Sequence, residues 1–266
     1  MGVAILLTVI AGSATALGGL IGIWGPHTSN RLLSAGVALS AGVMIYISLV
    51  ELLPTALVQS QTPGWVTLGF FGGVLFVLLV ETLAGWYSPA NRRRQVQSVT
   101  LHASQAPVPG PGTRDPARLA RTGVIMAVVL AAHNAPEGFV TLIYALQDPV
   151  LALPIVFAIA VHNIPEGIAV AVPMYHATGN RLKAWGISAA SGMAEPVGAL
   201  LLYAAVGPFI DQSSFAVVNG VIAGIMVFIS IHELIPLALA TGKKIVVSLW
   251  VMLGMALMAG SLLVLS

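Results

Sequence analysis

The chain has 266 residues, of which 58% are hydrophobic and only 8% are charged, against about 25% charged in an average soluble domain. Eleven Lys and Arg with nine Asp and Glu cannot cover a water-facing surface of this size, which excludes a soluble globular protein and predicts a polytopic protein of the lipid bilayer. The net charge of +2 comes from a few loop cations, which argues against a nucleic-acid partner, and the absence of cysteine excludes disulfides and thiolate metal sites.

Apolar runs of about 20 residues, long enough to cross about 30 Å of hydrocarbon, predict eight transmembrane helices. Because these runs are continuously apolar rather than alternating, the fold class is an all-α membrane protein and not a β-barrel. We expect one transmembrane domain over residues 1–266, with spans at about residues 2–24, 32–58, 64–86, 121–146, 149–174, 184–207, 212–240 and 244–265.

The loop cations predict the orientation of the chain. Every Lys and Arg falls in an odd-numbered connection, so the positive-inside rule predicts cytoplasmic odd loops and both termini on the outer side. The third connection, residues 87–120, is rich in Pro and Gly and is predicted to be a disordered cytoplasmic loop. Its arginines are expected to fix topology, with contact to anionic lipid headgroups as the alternative.

The second span begins an internal repeat. Residues 41–57 read AGVMIYISLVELLPTAL and residues 223–239 read AGIMVFISIHELIPLAL, which gives ten identities in seventeen positions without a gap. Since the two spans run in opposite directions, the match is typical of an inverted-repeat transporter fold. Glu51 and Glu233 lie about 10 Å inside opposite boundaries, at the positions of an entrance and an exit, and His232 adds a metal ligand beside Glu233. The alternative is a pair of helix-end carboxylates that reach water.

A sharper repeat occupies the fourth and fifth spans. Residues 133–138 read HNAPEG and residues 162–167 read HNIPEG, each about twelve residues from its membrane boundary. In each motif His and Glu at i and i+4 share a helix face, while Asn at i+1 reaches the same Glu from the other side. The predicted ligands are His133, Asn134, Glu137, His162, Asn163 and Glu166.

These side chains are costly in lipid unless something balances them. An ionised Glu at mid-bilayer costs at least about 2.5–3.5 kcal/mol on insertion scales, and two carboxylates repel each other. A bound cation is the simplest resolution, and nitrogen and carboxylate ligands without thiolates favour Zn²⁺, Mn²⁺, Fe²⁺ or Co²⁺ over Cu⁺. Pro136 and Pro165 each remove a helix hydrogen bond and are expected to open the helix toward the site.

Glu195, in the sixth span, is a third carboxylate predicted to be buried, and it also lies beside a proline. We interpret it as a further metal ligand, with a structural hydrogen bond to a neighbouring helix as the alternative.

With these motifs the chain resembles the ZIP (Zrt/Irt-like) divalent-metal transporters, most closely their bacterial ZupT-type branch. The likeness includes the eight spans, the long third loop, both HNxPEG motifs, SGMAEP at 191–196 and HELIP at 232–236. It implies import of zinc, iron, manganese and cobalt across the bacterial inner membrane, with no cofactor besides the transported metal. It further implies a 3+2+3 bundle of helices that forms a homodimer.

The resemblance also implies two metal positions. The first would be held by His133, Glu137, His162 and Glu166. The second would be held by Asn134, Asn163 and Glu195, with the same two glutamates bridging.

Two other functions would use the same residues. A passive metal channel needs the same ligands as a carrier. A dinuclear membrane metalloenzyme also uses carboxylates and histidines, but such sites usually carry Glu-x-x-His, whereas the order here is His-x-x-x-Glu. We therefore interpret the chain as a secondary transporter and not an enzyme.

Overall fold

The computed structural model describes residues 1–24, 30–85, 116–150, 152–207 and 211–265, and within these ranges the regular secondary structure is entirely helical. The all-α prediction is therefore confirmed for the described residues. Most of the predicted loop 87–120 lies outside them. The helices are α1 (Gly2–Trp24), α2 (Asn30–Tyr46), α3 (Leu53–Gln59), α4 (Pro63–Gly85), α5 (Pro116–Gln147), α6 (Leu153–Thr178), α7 (Arg181–Val206), α8 (Gln212–Ile229), α9 (Ile235–Thr241) and α10 (Lys244–Leu265).

Two short π-helical segments join neighbouring helices into longer rods. Segment π1 (Ile47–Leu52) connects α2 to α3, and segment π2 (Ser230–Leu234) connects α8 to α9. Each ends with an i→i+5 hydrogen bond, from Leu53 N–H to the Ser48 carbonyl and from Ile235 N–H to the Ser230 carbonyl. Each π segment precedes a proline in the next helix, which has no N–H to continue an α-helical ladder. Both segments lie within the two stretches that match in sequence.

Seven helical stretches of the described chain are long and apolar enough to cross a membrane by length and composition. A multi-span membrane protein is thus confirmed. Helix α5, which carries the first HNxPEG motif, is not among the seven, so the eighth span stays a prediction. The seven are Gly2–Trp24, Leu33–Gln59, Pro63–Val80, Leu153–Thr178, Arg181–Val206, Ser213–Thr241 and Lys244–Leu263.

The helices pack in two groups. Helices α1, α5, α6 and α7 contact one another, and α6 is the most enclosed, since it also contacts α2 and α10. In the second group, α4 packs on α8, and α10 packs on α2. Helix α4 follows the first copy of the sequence repeat but contacts the rod that contains the second copy. Helix α10 follows the second copy but contacts the rod that contains the first. The two HNxPEG motifs lie on α5 and α6, at the centre of the first group.

Close backbone contacts fix the first group. A Cβ on Gly167 would overlap the Thr15 carbonyl, and a Cβ on Gly18 would overlap the Ile164 carbonyl, so α1 and α6 can cross only where both residues are glycine. This crossing holds the α6 motif against α1.

The ends of two helices are capped by polar side chains outside the apolar spans. Asp211 accepts a hydrogen bond from the Ser214 N–H at 2.8 Å, and Asn180 accepts one from the Lys183 N–H at 3.0 Å. The hydrogen bonds with Ser214 hold the pKa of Asp211 below its ordinary value, because they favour the ionised carboxylate.

Candidate metal site

All seven side chains predicted as metal ligands lie in the interior of the molecule. None exposes more than 3% of its surface, so the burial expected from sequence is present at every position. Helices α5 and α6 continue through Pro136 and Pro165 without a break. The motifs thus lie on continuous helices and not on loops. The seven are His133, Asn134, Glu137, His162, Asn163, Glu166 and Glu195.

Each histidine contacts the glutamate of the other motif. His133 Nε2 lies 3.3 Å from Glu166 Oε1, and His162 Nε2 lies 3.1 Å from Glu137 Oε1. The sequence spacing instead placed each His above the Glu of its own motif. The packing of α5 against α6 creates this crosswise arrangement, in which each imidazole meets one carboxylate of the other helix.

The backbone sets the orientation of one imidazole. His162 Nδ1 lies 3.0 Å from the Ala158 carbonyl, and that acceptor requires Nδ1 to carry the proton. In the neutral ring Nε2 then presents a lone pair toward the Glu137 carboxylate. Two lone pairs at this distance repel each other unless a proton or a cation lies between them. An outer hydrogen bond of this kind is typical of metal-binding histidines.

A second polar layer adjoins the His–Glu pairs. Asn163 Nδ2 donates to Glu195 Oε2 at 2.8 Å and to the Ala11 carbonyl at 3.0 Å. Asn134 Nδ2 donates to the Ser191 carbonyl at 3.3 Å. Glu195 therefore lies beside the second motif. Its Oε2 makes a structural hydrogen bond to Asn163, and its Oε1 has no hydrogen-bond partner, so this carboxylate has an oxygen for each of the two roles considered from the sequence.

Many polar atoms of these layers are buried without a hydrogen-bond partner. Among the described residues, the His and Glu side chains meet in pairs, and no three or more His, Asp or Glu side chains are positioned together to hold a metal ion. The atoms outside the two His–Glu contacts are all capable of ligation: His133 Nδ1, Glu137 Oε2, Glu166 Oε2, Glu195 Oε1 and the carbonyl oxygens of Asn134 and Asn163. Buried polar atoms without hydrogen bonds require an explanation, and a bound ion is one such explanation.

Sequence reasoning missed one side chain at this centre. Ser40 of α2 is fully buried, and its hydroxyl lies 3.5 Å from Glu166 Oε1. It directly precedes the repeated stretch 41–57, but a single Ser in an apolar helix gives no sign of which neighbour it faces. Only the packing of α2 against α6 shows that Ser40 faces Glu166.

The predicted entrance and exit residues lie apart from this centre, one in each π segment. Glu51 is half-buried in π1, with the Thr55 hydroxyl 3.5 Å from Oε1. Glu233 lies in π2 beside His232, whose Nδ1 is 3.4 Å from Glu233 Oε1. The His232 ring stacks on Phe228 with 4.9 Å between centroids.

Two further polar residues near Glu51 gave no signal in the sequence. Tyr144 and Asn219 lie close to one another and to Glu51, and the Tyr144 ring contacts Phe215 one helical turn before Asn219. The Tyr144 hydroxyl and both polar side-chain atoms of Asn219 are buried. Polar groups thus extend from the π1 glutamate into the interior.

Comparison with known proteins decides the family. Residues 56–262 match the family model described as ZIP Zinc transporter. A zinc transporter ZupT of Chlorobium limicola is 39% identical over 270 residues, covering 99% of this chain and 98% of the relative. The chain belongs to the ZIP zinc transporter family. The resemblance inferred from the HNxPEG motifs is confirmed.

Other ZIP relatives match equally well from end to end. A zinc transporter ZupT of Streptococcus mutans is 39% identical over 267 residues, covering 98% of this chain and 96% of the relative. One from Campylobacter jejuni is 40% identical over 281 residues, covering 98% and 95%. Membership of the ZIP family identifies the chain as a membrane transporter and not an enzyme, with a metal ion as cargo and not as cofactor.

Proposed function

We propose that this ZIP chain imports divalent transition metals into the cytoplasm, zinc first and also iron, manganese and cobalt. The relatives are named zinc transporters, and the observation that carries the proposal is the crosswise His–Glu contact between α5 and α6. Imidazole nitrogens and carboxylate oxygens without thiolates suit this group of metals.

The cargo would occupy two positions between α5 and α6. His133, His162, Glu137 and Glu166 would hold the first. The second would be held by Asn134, Asn163 and Glu195, with both motif glutamates shared. Support comes from the buried donor atoms that lack hydrogen-bond partners on these side chains. A divalent cation would replace the unsatisfied contacts and neutralise the clustered carboxylates.

The transporter would have eight spans in a 3+2+3 inverted repeat, within the bacterial plasma membrane and with both termini outside. The matching π segments and the reciprocal packing of α4 and α10 support the repeat. The absence of Lys and Arg from even-numbered connections supports the orientation. A homodimer rests on the family resemblance, and the mass of the purified protein in detergent would test it.

The path would lead from Glu51 at the outer side to His232 and Glu233 at the inner side. These polar groups stand in π segments, where the irregular backbone leaves carbonyls available to a passing ion. Tyr144 and Asn219 would add neutral oxygens near the outer carboxylate.

The test is uptake of zinc and manganese into sealed proteoliposomes, with the membrane potential and pH gradient varied independently. We expect saturable uptake that Glu166→Ala abolishes, while Asp148→Ala, which removes an exposed carboxylate from the α5–α6 connection, transports normally. Acceleration by metal on the opposite side indicates a carrier, and its absence with unsaturable flux indicates a channel. Near-normal uptake by Glu166→Ala contradicts the proposed site.

A further inference from the structure

The two asparagines of the motifs have equivalent partners on two different helices. Asn163 donates to the Ala11 carbonyl of α1, and Asn134 donates to the Ser191 carbonyl of α7. The residues after these two carbonyls are Gly12 of α1 and Gly192 of α7, and a Cβ on either glycine would overlap the backbone of the other. Helix α1 therefore stands to α6 as helix α7 stands to α5.

The same equivalence holds one turn further along. Gly167 of α6 lies against the Thr15 carbonyl, and Gly138 of α5 lies against the Glu195 carbonyl. Both acceptors come four residues after the carbonyls that the asparagines use, namely Ala11 and Ser191. Thr15 thus occupies in α1 the place that the predicted ligand Glu195 occupies in α7.

The Thr15 hydroxyl differs from other hydroxyls of its own helix. Thr8 donates to the Ile5 carbonyl at 2.8 Å and Ser13 donates to the Val9 carbonyl at 2.6 Å, which is ordinary back-bonding within a helix. Thr15 is fully buried, yet its hydroxyl has no hydrogen-bond partner, and the carbonyl four residues earlier already accepts from Asn163.

Asn134, the counterpart of Asn163, also has a buried polar atom without a hydrogen bond. Glu195 accepts a hydrogen bond from Asn163, whereas no hydrogen bond joins its counterpart Thr15 to Asn134, whose carbonyl oxygen has no partner either. Two buried neutral oxygens, one from a hydroxyl and one from a carboxamide, thus remain without a hydrogen bond on these two residues.

We propose that Thr15 is a further oxygen ligand of the transported divalent cation, placed opposite Glu195 across the Asn134 and Asn163 layer. This inference rests on the proposed function. A neutral hydroxyl adds an oxygen ligand without adding a second carboxylate to a buried site. Since Mn²⁺ prefers oxygen ligands more strongly than Zn²⁺ does, Thr15 would favour manganese relative to zinc.

The test compares Thr15→Val, Thr15→Ser and Thr8→Val in proteoliposomes, with both metals. We expect Thr15→Val, which keeps the shape but removes the hydroxyl, to raise the KM for manganese about tenfold and the KM for zinc less. Thr15→Ser restores the hydroxyl and should restore the selectivity. Thr8→Val removes a hydroxyl bonded within its own helix and should leave the zinc-to-manganese ratio unchanged.

An unchanged ratio in Thr15→Val overturns the inference, as does a change that Thr15→Ser does not reverse. If Thr15→Val does not fold, Thr15→Ala is subject to the same criterion. Failure of the proposed function is distinct, because unsubstituted protein would then show no uptake that depends on Glu166.

Discussion

At the scale of single residues, the centre depends on contacts between motifs. His133 faces Glu166 and His162 faces Glu137, so each motif supplies half of each pair. Replacing one glutamate removes the partner of a histidine on the other helix and a ligand shared by both proposed metal positions. A substitution in either motif should therefore disrupt metal binding by both motifs.

We expect Glu137→Gln and Glu166→Gln each to lower zinc uptake by more than about tenfold, because an amide keeps the shape but loses the charge and one acceptor. Uptake by each variant in proteoliposomes, normalised to inserted protein, is the measurement. The double variant should be little worse than either single one. Additive losses would contradict a shared site.

Acid should weaken metal binding, because protons compete with the cation for imidazole and carboxylate. The ordinary pKa values are about 6.5 for His and 4.3 for Glu, so zinc affinity should be greatest above neutral pH and fall below about pH 6. Calorimetric titration of purified protein from pH 8 to pH 5 measures this. An affinity that is constant over this range would argue against His and Glu as ligands.

At the scale of helices, the centre is held by close crossings. Gly167 lets α6 approach the Thr15 carbonyl of α1, directly beside Glu166. A change in that crossing would move the ligand as well as the helix. Stability and metal affinity are therefore linked through the same glycine.

We expect Gly167→Ala to lower the free energy of unfolding by about 1–3 kcal/mol through overpacking, with weaker zinc binding. Gly186→Ala is the matched control, since a Cβ there meets no atom within 4 Å and improves helix propensity by up to about 1 kcal/mol. Thermal unfolding in detergent, with and without zinc, compares the two. Equal melting temperatures would show that the α1–α6 crossing tolerates a methyl group.

At the scale of the whole molecule, the direction of import depends on which loops face the cytoplasm. Because the chain has no cysteine, single cysteines can report sidedness directly. Gln61 lies in the connection before α4, predicted to be outside, and Leu182 is 69% exposed at the start of α7, predicted to be inside.

We expect a membrane-impermeant maleimide added to intact spheroplasts to label Gln61→Cys but not Leu182→Cys. Inverted vesicles should reverse the pattern, because the positive-inside rule places the Arg181 and Lys183 connection in the cytoplasm. The opposite labelling would place both termini in the cytoplasm and would reverse the expected positions of Glu51 and Glu233.

The sequence by itself determined the helical membrane class, the two HNxPEG motifs and the ZIP family, because span length, hydropathy and motif spacing are local properties of the chain. Burial of the predicted ligands also followed, since each stands within an apolar run. Only the tertiary structure decided that His133 pairs with Glu166 and not with Glu137, that Ser40 approaches the centre, and that Thr15 is the counterpart of Glu195. These contacts join residues that are far apart along the chain, and spacing along one helix cannot specify which face a second helix presents.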